Sequence, residues 1–482
     1  MKKIFVSLLI FIAAFLGYIL FKTFTFSSKQ MEVEAVEPIV INDTVLDRFQ
    51  TALRIKTISF ENPADFDSTQ FEAFNRFLME SFPLIDSLLE HQVFNAYSHL
   101  FKWNGTDNTL KPAILMGHID VVPIASPEKW SVDPFGGTIQ DNVIWGRGTI
   151  DDKFSVMGIL EAVELLLSEG FQPKRSVYLA FGHDEEVGGE KGAVAIAKYL
   201  KENGIEAAYI LDEGYAITQQ LIPGVEDDVA FIGIAEKGST TIELTVDMDG
   251  GHSSQPASET AIDVLANAVA QVKGNPLEAT LSEPMMGFIN QIGPEMGFVN
   301  KMAFANTGIF KPLIVSTYEG TGTGNALIRT TTSPTIFQAG IKENIIPTSA
   351  RALINFRIIP GQTADDVLTH VNAVVDDERV KTKFFGFNSN PSPVSPIDSE
   401  GYDLINKSMK QVFKGLLTAP NLVIAATDSR HFTEISPNIY RFVPYHINAS
   451  NIKTFHGIDE RIPVEDYKNA IRFYRQLILN GN

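Results

Sequence analysis

The chain contains no cysteine among its 482 residues. A disulfide framework and a thiolate metal site are therefore both excluded. Any bound metal ion must be held by histidine nitrogens and carboxylate oxygens. The absence of cysteine does not by itself identify a cellular compartment.

Basic residues are also scarce, because 39 Lys and Arg stand against 58 Asp and Glu. The formal net charge is −19, and the pI is about 4.9. A surface that binds nucleic acid needs clustered positive charge, so nucleic acid is excluded as a partner. Hydrophobic residues make up 44% of the chain and charged residues 20%, which is ordinary for a globular protein. A chain of this length is expected to divide into two domains.

An uncharged apolar run occupies residues 4–21, directly after Lys2 and Lys3. Eighteen residues meet the lower limit for a membrane span, and the two lysines supply the positive-inside flank. No A-x-A cleavage site follows, which favours an uncleaved anchor over a cleaved signal peptide. A buried core helix is the third alternative. Either membrane interpretation places the remaining chain outside the cytoplasm, with residues 22–42 as a tether.

Strand and helix patterns alternate from about residue 43. Apolar strands are predicted over 111–117, 175–182 and 207–211, and amphipathic helices over 152–169 and 190–203. This alternation predicts an α/β fold with a mostly parallel mixed sheet covered by helices. In such sheets, ligands bind beyond the carboxyl ends of the strands.

The pattern changes at residue 237, where alternating apolar residues predict a strand with one solvated face. A helix over 259–274, strands over 327–341 and 349–358, and a helix over 363–377 complete a smaller α+β lid domain. Residues 275–325 are rich in Met, Phe, Gly and Pro and have no clean period. The predicted division is 1–42 for anchor or signal and tether, 43–236 and 386–482 for the catalytic domain, and 237–385 for the inserted lid or dimerisation domain.

Polar clusters follow several of these strands. His118 and Asp120 are two residues apart in extended chain, so they share a face and the carboxylate can orient the imidazole. Asp151 and Asp152 come directly before a predicted helix. Capping and the helix dipole explain one of these carboxylates, and the other is free to bridge two cations.

A second group follows strand 175–182, in the sequence HDEE. A solvated acidic loop is one interpretation, but the next three residues, VGG, suit a strained turn. Glu185 and Glu186 can then divide the roles of general base and metal ligand. Asp212 and Glu213 come at the end of another predicted strand, and His456 lies near the C-terminus. Hard nitrogen and oxygen donors in this combination suit zinc, with cobalt or manganese as substitutes.

Taken together, these motifs resemble the co-catalytic di-zinc metallopeptidases, the family of aminoacylase, succinyl-diaminopimelate desuccinylase and carboxypeptidase S. Within that family, the chain looks most like carboxypeptidase S and the secreted N-fatty-acyl-amino-acid synthase/hydrolase. The resemblance covers residues 45–480. It rests on the ordered motifs HIDVVP, WSVDPF, GRGTIDDK, DEEVGG, LDEG, GGHSSQP, NFRIIPG, TDSR and HG.

The resemblance implies six candidate metal ligands, which are His118, Asp151, Glu186, Asp212, Glu213 and His456. His118 would bind one zinc ion and His456 the other, with Asp151 bridging the two. The last ligand of the first ion falls in LDEG, where Asp212 and Glu213 both stay open. Asp120 would orient His118, as its spacing already suggests.

The resemblance also assigns catalytic and substrate-binding roles. Glu185 would be the general base, and His252 would help to polarise the scissile carbonyl. In dimeric relatives this histidine comes from the partner subunit, so a homodimer through the lid domain is one state that the resemblance implies. Asn344, Arg357 and Arg430 would hold the substrate's carboxylate end, although a surface ion pair is the alternative for Arg357.

These roles imply hydrolysis of an amide whose amine half is a free amino acid, as in a peptide C-terminus or an N-acyl amino acid. Arginine forks suit such substrates because they bind a planar carboxylate through two parallel hydrogen bonds. A di-zinc aminopeptidase or dipeptidase is the first alternative, and it would need an acidic pocket for a free amine. A catalytically inactive binding protein is the second, but the expected base and ligands are all present. The acyl group, the amino-acid preference and the direction of reaction stay open.

Overall fold

The computed structural model describes residues 2–482. The strands, in chain order, are β1 (Glu90–Phe94), β2 (Ser98–Trp103), β3 (Ala113–His118), β4 (Thr138–Gln140), β5 (Val143–Trp145), β6 (Val177–Gly182), β7 (Tyr209–Thr218), β8 (Val229–Glu236), β9 (Gly238–Asp247), β10 (Gly251–His252), β11 (Thr331–Ala339), β12 (Ile345–Ile346), β13 (Ser349–Ile358), β14 (Val380–Phe384), β15 (Leu417–Val423), β16 (Ile439–Ile447) and β17 (Arg461–Pro463).

The α-helices, in the same order, are α1 (Lys2–Thr25), α2 (Thr44–Arg54), α3 (Ser68–Ser81), α4 (Pro83–Leu88), α5 (Lys153–Ser168), α6 (Ala193–Glu202), α7 (Ala261–Gly274), α8 (Glu283–Ile292), α9 (Phe298–Ala305), α10 (Thr307–Glu319), α11 (Gly322–Ile328), α12 (Ala364–Val374), α13 (Glu400–Val412) and α14 (Val464–Asn480).

An eight-stranded mixed sheet forms the largest layer, in the order β1-β2-β6-β3-β7-β16-β8-β15. β3 pairs in parallel with both β6 and β7, and β16 continues the parallel arrangement beside β7. The edge strand β1 runs antiparallel to β2, and β2 runs antiparallel to β6. The prediction of a mostly parallel mixed sheet covered by helices is therefore confirmed.

Both faces of this sheet are buried, which explains why its strands read as nearly continuous apolar runs. On β3, Leu115 faces the core that contains α2, α5 and α14. Its neighbours Ile114 and Met116 face the opposite core, together with Ile196 and Leu200 of α6. A parallel sheet enclosed in this way leaves only the strand ends accessible for polar side chains.

A second, four-stranded antiparallel sheet has the order β11-β13-β9-β14. Helices α7 and α12 pack against it and share an apolar core with it, which includes Leu244, Leu265, Ile354 and Val371. This unit matches the predicted inserted α+β domain. Its boundaries at residues 237 and 385 stay predictions.

Residues 275–325, for which no period was found, form most of the short helices α8 to α11. These helices do not lie on the small sheet. Phe288 and Ile289 of α8 share an apolar cluster with Phe231 of β8 and Ala419 of β15, at one edge of the large sheet. The helices are short, and α8 and α10 carry proline and glycine, so the helical period is too brief to be recognised in the sequence.

Candidate metal centre

The structure brings five of the predicted ligands together at the carboxyl edge of the large sheet. His118 is the last residue of β3, and Asp151 lies just before α5. Glu186 lies in a 3-10 turn that directly follows β6. The five residues form two groups that share one aspartate, namely His118, Asp151 and Glu213, and Asp151, Glu186 and His456.

Asp151 lies between the two histidines. Its Oδ1 is 2.8 Å from His118 Nε2, and its Oδ2 is 2.7 Å from His456 Nε2. Contacts with the two histidines outweigh the opposing effect of burial and lower the pKa of Asp151. A carboxylate that presents one oxygen to each imidazole has the geometry needed to bridge two cations.

Each group is completed by a glutamate. Glu213 Oε1 lies 3.4 Å from His118 Nε2, and Glu186 Oε2 lies 3.5 Å from His456 Nε2. Two ligands bound about 2.0–2.2 Å from one zinc ion in tetrahedral geometry are separated by roughly the same distance. The donor atoms therefore lie where ligands of two neighbouring cations are expected.

The choice between Asp212 and Glu213 depends on an irregularity in β7. The pairing of β16 with β7 passes from Arg441–Asp212 directly to Phe442–Tyr215, which leaves Glu213 and Gly214 as extra residues. Gly214 has φ +140°, and a Cβ there would lie 2.9 Å from Arg441 Cβ. The extra residues turn Glu213 into the His118 group, whereas Asp212 Oδ2 accepts a 2.8 Å hydrogen bond from the Ser429 backbone N–H.

Asp120 supports the centre without joining either ligand group. Its Oδ1 lies 3.3 Å from His118 Nδ1, the ring nitrogen that faces away from Asp151. The same carboxylate accepts hydrogen bonds from the backbone N–H groups of Glu185 and Glu186, at 3.2 and 3.1 Å. Asp120 can therefore orient both the imidazole and the turn that carries the two glutamates.

Glu185 lies in that turn, beside the His118 group. Burial raises its pKa well above the ordinary value, and the carboxylates of Asp428, Glu213 and Glu186 raise it further, against the influence of His118. A buried carboxylate next to a metal site is suited to proton transfer rather than to a structural ion pair.

The residues present fit a pair of divalent cations. Glu186 Oε1 is buried without a hydrogen-bond partner, and so are both side-chain oxygens of Asp428. Contacts with Asp151 and Glu186 raise the pKa of His456 to about 10, which reflects the density of negative charge. Buried charge of one sign is costly unless it is compensated. Two cations bound to histidine nitrogen and carboxylate oxygen would compensate it.

Glu460 fixes the loop that carries Asp151 and was not identified from the sequence. It is fully buried, it forms an ion pair with Arg147, and its Oε1 accepts a 2.7 Å hydrogen bond from the Ile150 backbone N–H. Arg147 also donates to the carbonyl of Gly457, next to His456. One buried ion pair therefore holds the two loops that supply the bridging carboxylate and the second histidine.

Replacing Glu460 by alanine is expected to destabilise the protein by about 3–5 kcal/mol, because Arg147 would remain buried without a carboxylate to balance its charge. Metal content should fall with it, since the positions of Asp151 and His456 depend on the pair. Thermal unfolding and metal analysis of Glu460→Ala, with the exposed Glu465→Ala as the control, test this role. A melting temperature equal to that of the control would contradict it.

The predicted substrate arginines lie close to each other. Burial and the nearby charge of Arg430 both lower the pKa of Arg357, and neither arginine forms a salt bridge within residues 2–482. Arg430 donates a 3.1 Å hydrogen bond to the carbonyl of Gly188, two residues after Glu186. The surface ion pair considered for Arg357 is thus not present, and the arginines are available to an anionic ligand.

Lys237 is a third cation in this region, and the sequence analysis missed it. Burial and the charge of Arg357 lower its pKa to about 7. Its Nζ donates to the carbonyls of Ala326 and Arg329, both at 2.8 Å. Its position directly after β8, at a strand end like the other polar clusters, is the signal that could have identified it.

His252 and Asn344 belong to neither ligand group of the metal centre. His252 is exposed on β10, and its Nδ1 lies 2.8 Å from Ser254 Oγ. β10 pairs with β12, so Asn344, one residue before β12, lies on the same short ribbon. Neither side chain forms a hydrogen bond or ion pair with the metal-centre residues among those described. Their catalytic roles stay predictions.

Comparison with known proteins identifies the family of the chain. The model of peptidase family M20/M25/M40 matches residues 114–480. The probable carboxypeptidase S-like 2 of Dictyostelium discoideum is 43% identical over 469 residues, covering 95% of this chain and 90% of the relative. The N-fatty-acyl-amino acid synthase/hydrolase PM20D1.1 of Danio rerio is 40% identical, covering 91% and 86%.

The same fold occurs in a solved structure, the M20 family metallo-carboxypeptidase Sso-CP2 from Sulfolobus solfataricus. It superposes with a TM-score of 0.66 at 19% identity, and covers 91% of this chain and 99% of that one. The family match includes the central sheet from β3 onward, both ligand groups and the inserted domain. The chain therefore belongs to peptidase family M20/M25/M40, and it is a metallopeptidase.

Proposed function

We propose that the protein is a di-zinc amidohydrolase that cleaves an amide bond next to a free C-terminal carboxylate. Its substrates would be peptides cleaved in the manner of carboxypeptidase S, or N-acyl amino acids. The proposal rests on one observation. Two metal-ligand groups that share Asp151 lie near a pair of arginines, and these arginines have no acidic partners. The names of the two relatives point to the same two substrate classes.

The metal assignment rests on the donor set. The ligand atoms are imidazole nitrogens and carboxylate oxygens, and the chain offers no thiolate. Zinc fits such a set, and cobalt or manganese can replace it. When bound, the two cations supply the Lewis acidity that lowers the pKa of an attacking water.

The side chains divide the remaining work. Glu185 takes a proton from the water during attack on the amide carbonyl and delivers it to the leaving amine. His252 hydrogen-bonds the developing oxyanion, either after closure of the inserted domain or from the partner subunit of a homodimer. Arg357 and Arg430 bind the substrate carboxylate, and Asn344 assists them.

An aminopeptidase would instead need an accessible carboxylate for the substrate's free amine. Asp428 is the nearest candidate, since both of its oxygens lack hydrogen-bond partners. However, Asp428 is only 3% exposed and lies against Gly182 and Gly189. Asp428 is therefore not accessible to a free amine, whereas Arg357 and Arg430 have no acidic partner and can bind an anionic substrate end.

Activity of the zinc-loaded full chain, assayed in detergent on N-acyl amino acids, dipeptides and their C-terminal amides, tests the proposed function. We expect cleavage of the free acids and slow cleavage of the amides. Preferential cleavage of substrates with a free amine and an amidated C-terminus would support an aminopeptidase instead.

Two zinc ions per chain are expected after reconstitution, because the ligands form two groups that share one carboxylate. Elemental analysis of the wild type should give a ratio near two. Glu213→Gln removes a ligand of one group only and should lower the ratio toward one, whereas Asp151→Asn should affect both. A wild-type ratio near one with full activity would rule out the bridged pair.

We further propose that α1 anchors the enzyme in a membrane, with the catalytic domain outside the cytoplasm. Helix α1 is long and apolar enough to span a bilayer, although a signal sequence passes the same test. Most of its large side chains are exposed, from Ile4 to Phe21. A buried core helix, the third alternative, would not leave those side chains in water.

A further inference from the structure

Helices α9 and α10 expose several large apolar side chains. The exposed fractions are 51% for Phe298, 71% for Val299, 37% for Ile309 and 59% for Leu313. These four residues define the α9–α10 face. An exposed apolar surface of this kind in a soluble domain marks a site of interaction.

The charge of this segment differs from that of the whole chain. Helices α9 and α10 contain Lys301 and Lys311, and their one acidic residue, Glu319, is paired with Arg329, whereas the chain carries a net charge of −19. Apolar side chains combined with lysine are typical of helices that lie in the interface of a bilayer. Lysines near such a surface are also attracted to anionic lipid headgroups.

Helix α1 packs against α9 and against the junction between α9 and α10. Asn306, between α9 and α10, donates from Nδ2 to the carbonyl of Ile19 and to Thr23 Oγ1, both at 3.3 Å. The rings of Phe24 and Phe298 lie 6.1 Å apart. Ile19 and Thr23 are only 6% and 1% exposed, unlike the rest of α1. The α9–α10 face therefore adjoins the last turns of the apolar helix.

The chain that leaves α1 is also fixed to the body of the protein. Gln30 Nε2 donates to the carbonyls of Gln291 and Thr418, at 3.1 and 2.9 Å. Its Oε1 accepts hydrogen bonds from the Thr418 backbone N–H and Lys410 Nζ, both at 2.9 Å. The predicted tether comprises residues 22–42, and its first part is thus packed against β15 and α8. Helix α1 is therefore not joined to the domain by a flexible linker.

The length of α1 sets its depth in a bilayer. The run 4–21 extends about 27 Å at 1.5 Å per residue, slightly less than the roughly 30 Å of a hydrocarbon core. If α9 and α10 stayed wholly in water, residues 19–21 would leave the bilayer with them. Only residues 4–18, about 22 Å, would then remain to cross it. Seating the protein surface around Ile19 in the membrane keeps residues 19–21 within the bilayer and reduces the mismatch with the hydrocarbon thickness.

We propose that the α9–α10 face is seated in the interfacial region of the membrane that α1 spans, on the side of the catalytic domain. Its apolar residues contact the boundary between headgroups and acyl chains, and Lys301 and Lys311 contact phosphate groups. This inference rests on the proposed membrane anchor. It makes the enzyme a surface-bound domain with a fixed orientation rather than a domain on a flexible stalk.

The absence of cysteine allows a direct test with single labels. Four full-chain variants, Ile10→Cys, Val93→Cys, Val299→Cys and Leu313→Cys, are labelled with a fluorophore and reconstituted into vesicles of phosphatidylcholine and phosphatidylglycerol. Nitroxide-bearing lipids then report the proximity of each label to the bilayer. Val93 is the matched control, because it is 47% exposed on β1, at the sheet edge opposite β15.

Labels at 299 and 313 are expected to be quenched by the lipids several-fold more than the label at 93, and the label at 10 most of all. If the label at 10 is quenched and those at 299 and 313 behave like 93, the anchor holds and the seated face is wrong. If the label at 10 is not quenched, the anchor itself fails. The labels at 299 and 313 could also be shielded from aqueous iodide without being quenched by the lipids. That result would show that a second copy of the chain covers the face, and it would also overturn the proposal.

Discussion

Replacing Glu185 by glutamine is expected to lower kcat by about 10²- to 10⁴-fold, the range in which a general acid–base group contributes. Glutamine has nearly the same shape but cannot accept a proton from water. Neither ligand group includes Glu185, so two metal ions per chain should be retained. The loss should appear in kcat rather than in KM, because the side chain acts in the transition state and not in substrate binding.

Glu190→Gln is the matched control, because it makes the same chemical change at an exposed position of the same loop. It should leave kcat and metal content unchanged. Glu186→Gln is the contrasting variant, since it removes a candidate ligand and should lower the metal content as well as the rate. Near wild-type turnover in Glu185→Gln would show that another group is the base. Loss of metal in that variant would show that Glu185 is a ligand.

Much of this centre could be predicted because the polar residues interrupt apolar strands. His118 and the pair Glu185 and Glu186 come directly at the ends of β3 and β6, where a buried parallel sheet has its accessible edge. The signal for Asp151 is similar, since it lies just before a long amphipathic helix. The absence of cysteine restricted the possible metal ligands to nitrogen and oxygen donors.

Other features depend on tertiary contacts that leave no local pattern. The strand predicted over 207–211 continues to Thr218 as β7, because an irregular pairing with β16 accommodates Glu213 and Gly214. The sequence gives no sign of this irregularity, so it could not show which of Asp212 and Glu213 joins the His118 group. Glu460 was missed for a related reason. Its role comes from a loop more than 300 residues earlier in the chain, and nothing in HGIDERI indicates a buried acceptor.

The inserted helices show a limit of a different kind. Residues 275–325 were recognised as unusual in composition, but their contacts with β15 and α1 could not be inferred. Helices of seven to thirteen residues give too few repeats of the helical period to separate a buried face from an exposed one. The exposed apolar residues of α9 and α10 became visible only when the surface was known.

Neutralising the substrate's carboxylate as an amide is expected to lower kcat/KM by roughly 10- to 100-fold in the wild type. A charge-assisted hydrogen bond contributes about 1.5–3 kcal/mol, and the amide loses at least one such bond to arginine. Arg357 is the first candidate for this contact, because it lies beside Arg430 and has no salt-bridge partner among the described residues. Arg357→Ala should therefore show the same loss on the free acid.

The decisive measurement is the full cycle of two enzymes and two substrates. If Arg357 binds the carboxylate, its removal should cost little further on the amide, because both changes delete one interaction. Arg351→Ala is the control: it lies on the same strand, β13, but pairs with Glu243, so it should leave the ratio of acid to amide unchanged. If the loss from Arg357→Ala and the loss from the amide simply multiply, a residue other than Arg357 binds the carboxylate. Arg430 would then be tested next. Equal cleavage of acid and amide by the wild type would show that the carboxylate is not bound at all, and the aminopeptidase would become the better description.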